Sequence, residues 1–240
     1  MRSKAKKILS ETRHKFLSYQ FRKHQNWVTR FTINGQIYGG SYDASKDRRL
    51  AQFEQAFPIR SRILEMGSLE GGHSFNLARM SNVDNVVALE GRDSNIRKAE
   101  LVRRQLGIEN VKFLQADLES ADLTKYGQFD VCFNVGLLYH LPQPWIHLRN
   151  VRNVTQNLFL WTHYVAPSKV TEQRNGYPGW SYKEFGLEDP LSGLSETSFW
   201  PSFDGLKTML SDAGFPAIQI IEEDSGNESG SAVTLAAMAS

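Results

Sequence analysis

Apolar residues along this chain change spacing in a regular way. Short continuous runs recur at Ile63-Leu64, Val86-Val87-Ala88-Leu89, Phe113-Leu114, Val131-Cys132-Phe133 and Leu158-Phe159-Leu160. Such runs suit strands buried on both faces, and they predict strands over 62–66, 85–90, 111–116, 129–135 and 157–162. Between them the spacing turns helical. Phe75, Leu77, Ala78 and Met80 predict a helix over about 72–81. A second helix spans 93–106, capped by Asp93 or Ser94 and stopped at Gly107. A third runs from Pro144 to about Val154, with proline in its first turn. Strand–helix alternation of this kind predicts an α/β fold with a parallel sheet and right-handed crossovers. A helix over 203–213 follows. Two closing strands, Ile218–Ile221 and Val233–Ala236, are joined by the Ser/Gly/Asn turn 225–231.

Two stretches stand outside this rhythm. Residues 3–24 read as an amphipathic helix with an imperfect stripe of Ile8, Leu9, Phe16, Leu17, Tyr19 and Phe21. Trp27 to Tyr38 reads as a hairpin about the Asn34-Gly35 turn. Gly39–Tyr42 is a flexible link, and Ser45 is expected to cap a helix that Pro58 ends. Residues 1–58 therefore read as an N-terminal helix and hairpin cap before a domain over 59–240. The second exception is 165–200, rich in Gly, Pro and aromatic residues. It reads as a structureless insertion of the kind that serves as a lid or substrate segment.

The first strand runs into a glycine turn, Glu65-Met66-Gly67-Ser68-Leu69-Glu70-Gly71-Gly72-His73. Strand, glycine turn and helix open a nucleotide-binding unit, and the glycines let backbone turn tightly and a ligand approach. A dinucleotide fingerprint needs a glycine where Leu69 stands, and a P-loop needs a terminal Gly-Lys-Ser/Thr that is absent.

Composition narrows the field further. The 240 residues are 40% apolar and hold one cysteine, which excludes a disulfide framework and a cysteine-based metal cluster. No run approaches ~18 consecutive apolar residues, and the basic N-terminus lacks a signal-peptide core, so a cytoplasmic protein without a membrane span is expected. The net charge of +2 is uneven: residues 1–30 carry nine Lys/Arg against Glu11 alone, and the rest is mildly acidic. Such asymmetry belongs either to a solvated helix face or to a surface for nucleic acid.

The spacing Glu65-x-Gly67-x-x-x-Gly71 resembles motif I of the class I S-adenosylmethionine (AdoMet) methyltransferases. AdoMet carries no phosphate, so a leucine within the turn is tolerable. Glu90 closes the next strand, about 20 residues on, where a carboxylate can accept from ribose hydroxyls. Asp117 closes the third, where the family has an acid for the adenine amino group. The resemblance covers roughly 61–240. It implies a seven-stranded, mostly parallel sheet with helices on both faces and an antiparallel C-terminal hairpin. It also implies AdoMet as cofactor, held by Glu65, Gly67, Gly71, Glu90, Asp117 and Asn134, with the N-terminus of the 72–81 helix near the cofactor carboxylate.

The methyl group is expected beyond the fourth strand, at Asn134-Val135-Gly136-Leu137-Leu138-Tyr139-His140. The amino-methylating motif Asn/Asp-Pro-Pro-Tyr is absent, and so is an acid cluster for magnesium, so no metal is expected. His140 and His163 follow the fourth and fifth strands and are candidate general bases for a hydroxyl acceptor. Tyr139, Tyr177, Trp180 and Trp200 are candidate substrate contacts. His73 is expected to pack or cap. The favoured expectation is O-methylation of a small hydroxylated molecule under the insertion, whose charge is net acidic. Gly136–His140 also resembles a segment of the tRNA wobble-uridine carboxymethyltransferases. RNA modification through the basic N-terminal helix is therefore an alternative, and a non-catalytic AdoMet-binding subunit is another. The oligomeric state is left open, with a homodimer through the N-terminal cap conceivable.

Overall fold

A computed structural model describes residues 2–186, 189–226 and 230–239, with side chains from residue 11 onward. Ile8, Leu9, Glu188 and part of the 225–231 turn, which enter the sequence reading, lie outside what is described. A seven-stranded sheet carries the fold. Its strands, in chain order, are β3 (Arg62–Met66), β4 (Asn85–Glu90), β5 (Val111–Gln115), β6 (Val131–Val135), β7 (Asn157–His163), β11 (Ala217–Asp224) and β12 (Ala232–Met238). Their spatial order is β11-β12-β7-β6-β3-β4-β5. Neighbours from β5 to β7 are parallel. β12 inserts antiparallel between β7 and β11, as the class I resemblance implied. The chain order reverses between β3 and β6, so a crevice opens there at the carboxyl ends of the strands.

The sheet is buried on both faces, as the runs predicted. Ile63, Leu64, Val86, Ala88, Val131 and Leu160 are all fully buried. α5 (Pro144–Arg152) and α6 (Phe203–Asp212) cover one face through Leu148, Val151, Leu206 and Met209. α3 (Gly72–Leu77) and α4 (Asp93–Leu106) cover the other. α3 is shorter than its apolar spacing predicted. Arg79 and Met80 donate to the carbonyls of Asn76 and Leu77, three residues back, so the helix tightens and ends.

α1 (Arg2–Lys23) and the hairpin β1 (Arg30–Ile33)–β2 (Gln36–Gly39) form over the expected residues, but of the predicted helical stripe Leu17 and Phe21 are buried while Phe16 and Tyr19 are exposed. Asn34 and Gly35 both take positive φ (52° and 75°), which is why that pair turns the hairpin. Leu17, Phe21, Phe31 and Tyr38 join one apolar cluster with Ile63, Phe75 and Phe133 of the sheet side. A fully buried ion pair reinforces this junction. Glu70 accepts from the N–H groups of Val28 and Thr29 (2.6 Å to Thr29) and from Lys98 Nζ at 2.8 Å. The next helix differs from expectation: Asp43 caps a single 3-10 turn, and Asp47, not Ser45, caps α2 (Arg48–Ala56) by accepting from the Arg49 N–H.

Residues 165–200 are not structureless. β8 (Glu172–Arg174), β9 (Tyr177–Lys183) and β10 (Thr197–Pro201) form a separate three-stranded antiparallel sheet. Tyr177 and Phe199 bury in the main core, and Trp200 is buried against His163 and Tyr182.

Candidate active site

The crevice is a cleft of about 1320 Å³ at the carboxyl ends of β3, β4, β5 and β6. Its floor is the glycine turn. Gly67 (φ +77°) lines the cleft, and a Cβ there would meet Leu137 Cβ at 3.2 Å. Leu69 adopts a left-handed φ of 50°, unusual for a side chain of its size, and its N–H donates to Glu90 Oε2 at 2.9 Å. Glu90 is 6% exposed, lines the cleft, and also accepts from the Arg92 N–H at 2.9 Å and Asn95 Nδ2 at 3.3 Å. Burial pushes its carboxyl up, against those hydrogen bonds. Asp117 lines the next part of the cleft. Hydrogen bonds from the Ser120 hydroxyl (2.6 Å) and the Glu119 N–H (3.0 Å) hold its carboxyl below the usual range. Gly67, Glu90 and Asp117 are thus brought together as the strand spacing predicted.

Three expected cofactor residues are not brought to the cleft. Gly71 (φ +83°) starts α3, and a Cβ there would strike the Phe113 ring at 2.8 Å, so its freedom serves turn geometry and packing. The Glu65 side chain is buried beneath the turn and accepts from the Ser74 hydroxyl. Asn134 is fully buried, and its Nδ2 donates to His147 Nε2 at 2.7 Å while His147 Nδ1 donates to the Leu118 carbonyl at 2.7 Å. Depth along the strand decides this: Glu65 and Asn134 lie inside their strands, short of the cleft, and their side chains turn into the packing against α3 and α5. The six-residue α3 also has little macrodipole to offer an anion.

Glu65 and His147 have opposite consequences in acid. Burial lifts the Glu65 carboxyl to about 7, with Ser74 pulling the other way, and pushes the His147 imidazole down to about 4. A carboxyl raised by folding contributes stability that is complete below its ordinary value of 4.5 and is lost as pH rises towards 7. An imidazole lowered by folding contributes stability that is complete above 6.5 and is lost as pH falls towards 4. Each amounts to about 3 kcal/mol over its window. Relative to wild type, Glu65→Gln should therefore gain unfolding free energy as pH rises from 4.5 to 7, and His147→Gln as pH falls from 6.5 to 4. Urea melts across this range measure both; difference curves flat with pH would show that neither group titrates as its burial implies.

The other end of the cleft is built on the turn after β6. Tyr139 and His140 both line it. His140 Nδ1 lies 3.1 and 3.2 Å from the two carboxylate oxygens of Glu184. Glu184 also accepts from the Ser192 and Ser198 hydroxyls (2.7 and 2.6 Å) and the Gly193 N–H (2.6 Å). Burial raises the Glu184 carboxyl, but the bonds from His140, Ser198, Ser192 and Gly193 more than offset this and bring it down to about 2. A carboxylate only accepts, so Nδ1 carries the proton, and in the neutral ring the lone pair is then on Nε2. No described residue hydrogen-bonds Nε2. Trp161 and Arg49 line the cleft beside Tyr139, whose ring meets the Trp161 indole edge-on at 5.7 Å, with the guanidinium 4.5 Å over the indole. Arg49 is clamped by Asp47 (Nε to Oδ1 2.9 Å), which also bonds His73 Nε2 at 2.8 Å; His73 therefore anchors the N-terminal segment at the cleft rim.

The remaining aromatic and histidine candidates lie elsewhere. His163 is 4% exposed, and its Nδ1 donates to the Gly230 carbonyl at 3.0 Å while its ring stacks on Trp200 at 4.9 Å. Trp200 is buried behind it, Trp180 packs against Trp200 and Tyr182, and the Tyr177 hydroxyl donates to Asp212 at 2.9 Å. None of the four lines the cleft. The insertion contributes Pro190–Ser195 to the cleft wall instead.

Comparison with known proteins agrees with this architecture. A family profile described as a methyltransferase domain matches residues 60–183. The N-terminal domain of EvdMO1, crystallised in the presence of S-adenosylhomocysteine and D-fucose, is 32% identical, with a TM-score of 0.85 covering 95% of this chain and 97% of that one. The chain belongs to the class I AdoMet-dependent methyltransferases. AdoMet is its cofactor. Among curated relatives, a tRNA U34 carboxymethyltransferase of Vibrio cholerae is 24% identical over 169 residues, 70% of this methyltransferase and 49% of the relative. The chain thus spans about half the length of the curated relatives it matches, and 47% of full-length EvdMO1. A putative O-methyltransferase from Nostoc punctiforme shares the fold at 16% identity (TM-score 0.57, 81% of this chain and 56% of that one).

Glu184, Arg49 and Trp161 of this methyltransferase escaped the sequence reading. Glu184 lies 44 residues from its histidine and was visible only as one acid among several in the insertion. Arg49 follows a helix cap, and Trp161 sits inside a strand; neither carries a local signature of a cleft.

Among the described residues, no helix is long and apolar enough to cross a membrane.

Proposed function

We propose that this methyltransferase moves the methyl group of AdoMet to a hydroxyl oxygen of a small polyhydroxylated acceptor, with His140 as general base. The His140–Glu184 pair on the cleft wall carries this reading. Glu184 holds the imidazole in the tautomer whose Nε2 can take a proton, the arrangement a weak hydroxyl nucleophile needs. Bound AdoMet supplies an electrophilic sulfonium methyl. The acceptor hydroxyl then loses its proton to Nε2 as its oxygen takes the methyl carbon, and S-adenosylhomocysteine leaves. Glu90 is assigned to the ribose hydroxyls, Asp117 to the adenine amino group and Gly67 to the close approach of the cofactor. Tyr139, Trp161 and Arg49 are assigned to the acceptor wall: aromatic rings and a guanidinium suit a molecule with both C–H groups and hydroxyls. The presence of D-fucose, a polyhydroxylated sugar, in the crystals of the EvdMO1 domain supports the same class of acceptor.

A second reading is favoured by the tRNA carboxymethyltransferase relatives and by the basic α1. Against it, the cleft wall from the insertion is not basic, and Arg49 is already paired with Asp47. Salt dependence of bulk tRNA binding separates the two. The small-molecule reading expects weak binding, little changed by replacing Arg13, Lys15, Arg22 and Lys23 with serine. Leu17 and Phe21 belong to the core, so the helix itself is kept. Tight binding whose logarithm falls steeply with log salt, and which those substitutions abolish, would favour RNA. The enzyme's release of S-adenosylhomocysteine across sugars, phenols and amines tests the acceptor class directly: hydroxylated acceptors should be turned over and amines should not.

A further inference from the structure

We infer that Arg92 is a positioning residue for His140, acting across the insertion through Ser192, Gly193 and Glu184; its kinetic consequence rests on the proposed role of His140. After β9 the Glu184 N–H still pairs with the Glu196 carbonyl (2.9 Å), and the segment between them presents two donors to the Glu184 carboxylate. Ser192 and Gly193 supply them, at 2.7 and 2.6 Å from Glu184 Oε2. Ser192 is the pivot. Its hydroxyl donates to Glu184 and accepts from the Phe185 N–H at 2.7 Å, closing the segment into a loop. What fixes this loop to the main sheet is Arg92, at the junction of β4 and α4. Its Nη2 donates to the carbonyls of Gly186 (3.1 Å), Asp189 (3.1 Å) and Ser192 (2.8 Å). The same residue's backbone N–H donates to Glu90 Oε1 at 2.9 Å. One residue therefore touches the expected ribose carboxylate through its backbone and the loop behind the base through its side chain. Two smaller contacts lie alongside: Ser195 donates to Glu119 at 3.0 Å, and Leu194 sits against Gly91, where a Cβ would meet Leu194 Cδ1 at 2.6 Å.

Three carbonyls converge on one nitrogen of a permanently charged guanidinium, whose two N–H groups are shared among them. Without it the loop loses its tie, Ser192 and Gly193 no longer meet Glu184 in register, and the imidazole loses its fixed partner. The Glu90 contact made by the backbone N–H is kept in a side-chain variant; what Glu90 loses is the nearby guanidinium charge.

The test uses ¹⁵N-histidine-labelled full-length protein, with the His140 ring signals identified by their loss in His140→Gln. In Arg92→Ala the His140 Nδ1 signal should move towards its position in Glu184→Gln. Affinity for S-adenosylhomocysteine, by calorimetry, should stay within about threefold. Turnover with saturating cofactor should fall about 10–100-fold, as expected for a misplaced catalytic group. Adding Arg92→Ala to Glu184→Gln should cause no further loss, because both act on one carboxylate. Ser192→Ala, which leaves the Arg92 contact to the Ser192 carbonyl, should reproduce the His140 shift if Arg92→Ala does not fold. Unchanged His140 signals, or a turnover loss that adds in full to that of Glu184→Gln, would overturn the inference. Normal turnover in His140→Ala together with the signal shift would leave Arg92 as positioning residue and remove only the assignment of the base.

Discussion

Replacing His140 by alanine should lower turnover ~10²–10⁴-fold while leaving S-adenosylhomocysteine affinity near that of the wild type. The imidazole lies at the acceptor end of the cleft, and the cofactor's expected contacts, Gly67, Glu90 and Asp117, are at other strand ends. Glu184→Gln should fall in the same direction, since a neutral amide no longer enforces the Nδ1–H tautomer. It also weakens three further hydrogen bonds, so a thermal melt of that variant is part of the experiment. His163→Ala supplies the contrast. That ring is bonded to the Gly230 carbonyl and stacked on Trp200 away from the cleft, so the variant should keep near-normal turnover at temperatures where it is folded. Single-turnover kinetics on the three variants decides between a base at His140 and a reaction driven by proximity alone. Near-normal rates in His140→Ala would leave proximity as the mechanism.

The second large effect is expected at Glu90. Its carboxylate is nearly buried, accepts from Leu69 and Arg92 N–H groups, and keeps lone pairs towards the cleft. Two charge-assisted bonds to ribose hydroxyls, each worth about 1.5–3 kcal/mol, give a loss of ~10²–10⁴-fold in AdoMet affinity for Glu90→Ala. Part of that loss comes through the turn, because Leu69 in its left-handed conformation is held by the same carboxylate. Glu90→Gln separates the two contributions. It keeps an acceptor for one N–H but loses the charge, and should fall between wild type and Glu90→Ala. Calorimetry that finds both variants binding as tightly as wild type would contradict the ribose assignment.

The parallel core was legible because its strands bury both faces: runs such as Val86–Leu89 have few other places to go. Strand ends were legible to within a residue, and that residue mattered. Glu90 and Asp117 fall at or past the end of their strands and reach the cleft; Glu65 and Asn134 fall inside theirs and turn into the protein, where Ser74 and His147 satisfy them. The insertion was the least legible part. Its glycines, prolines and aromatics suggested a loop with ligand-facing rings. Tyr177 and Phe199 are instead alternate, inward residues of short strands that complete the core. The insertion reaches the cleft through residues 190–195 and touches His140 through Glu184. There the governing contacts join positions 44 to 100 residues apart, which no local pattern encodes. The proposed base was one of two candidate histidines at strand ends, and only tertiary structure separates them. One meets a buried carboxylate and the cleft; the other meets a carbonyl and an indole.

The central claim is that methyl is delivered to oxygen. The most direct measurement uses AdoMet carrying a ¹³C-labelled methyl group, with a deoxyhexose acceptor panel and NMR correlation of the labelled methyl to the acceptor carbon across the new bond. The account predicts that the label appears as a methoxy group, correlated to a carbon that bore a hydroxyl, and that it fails to appear with His140→Ala on the same timescale. Label found on a nitrogen or a carbon of the true acceptor, or methoxy formation undiminished by the loss of His140, would contradict it.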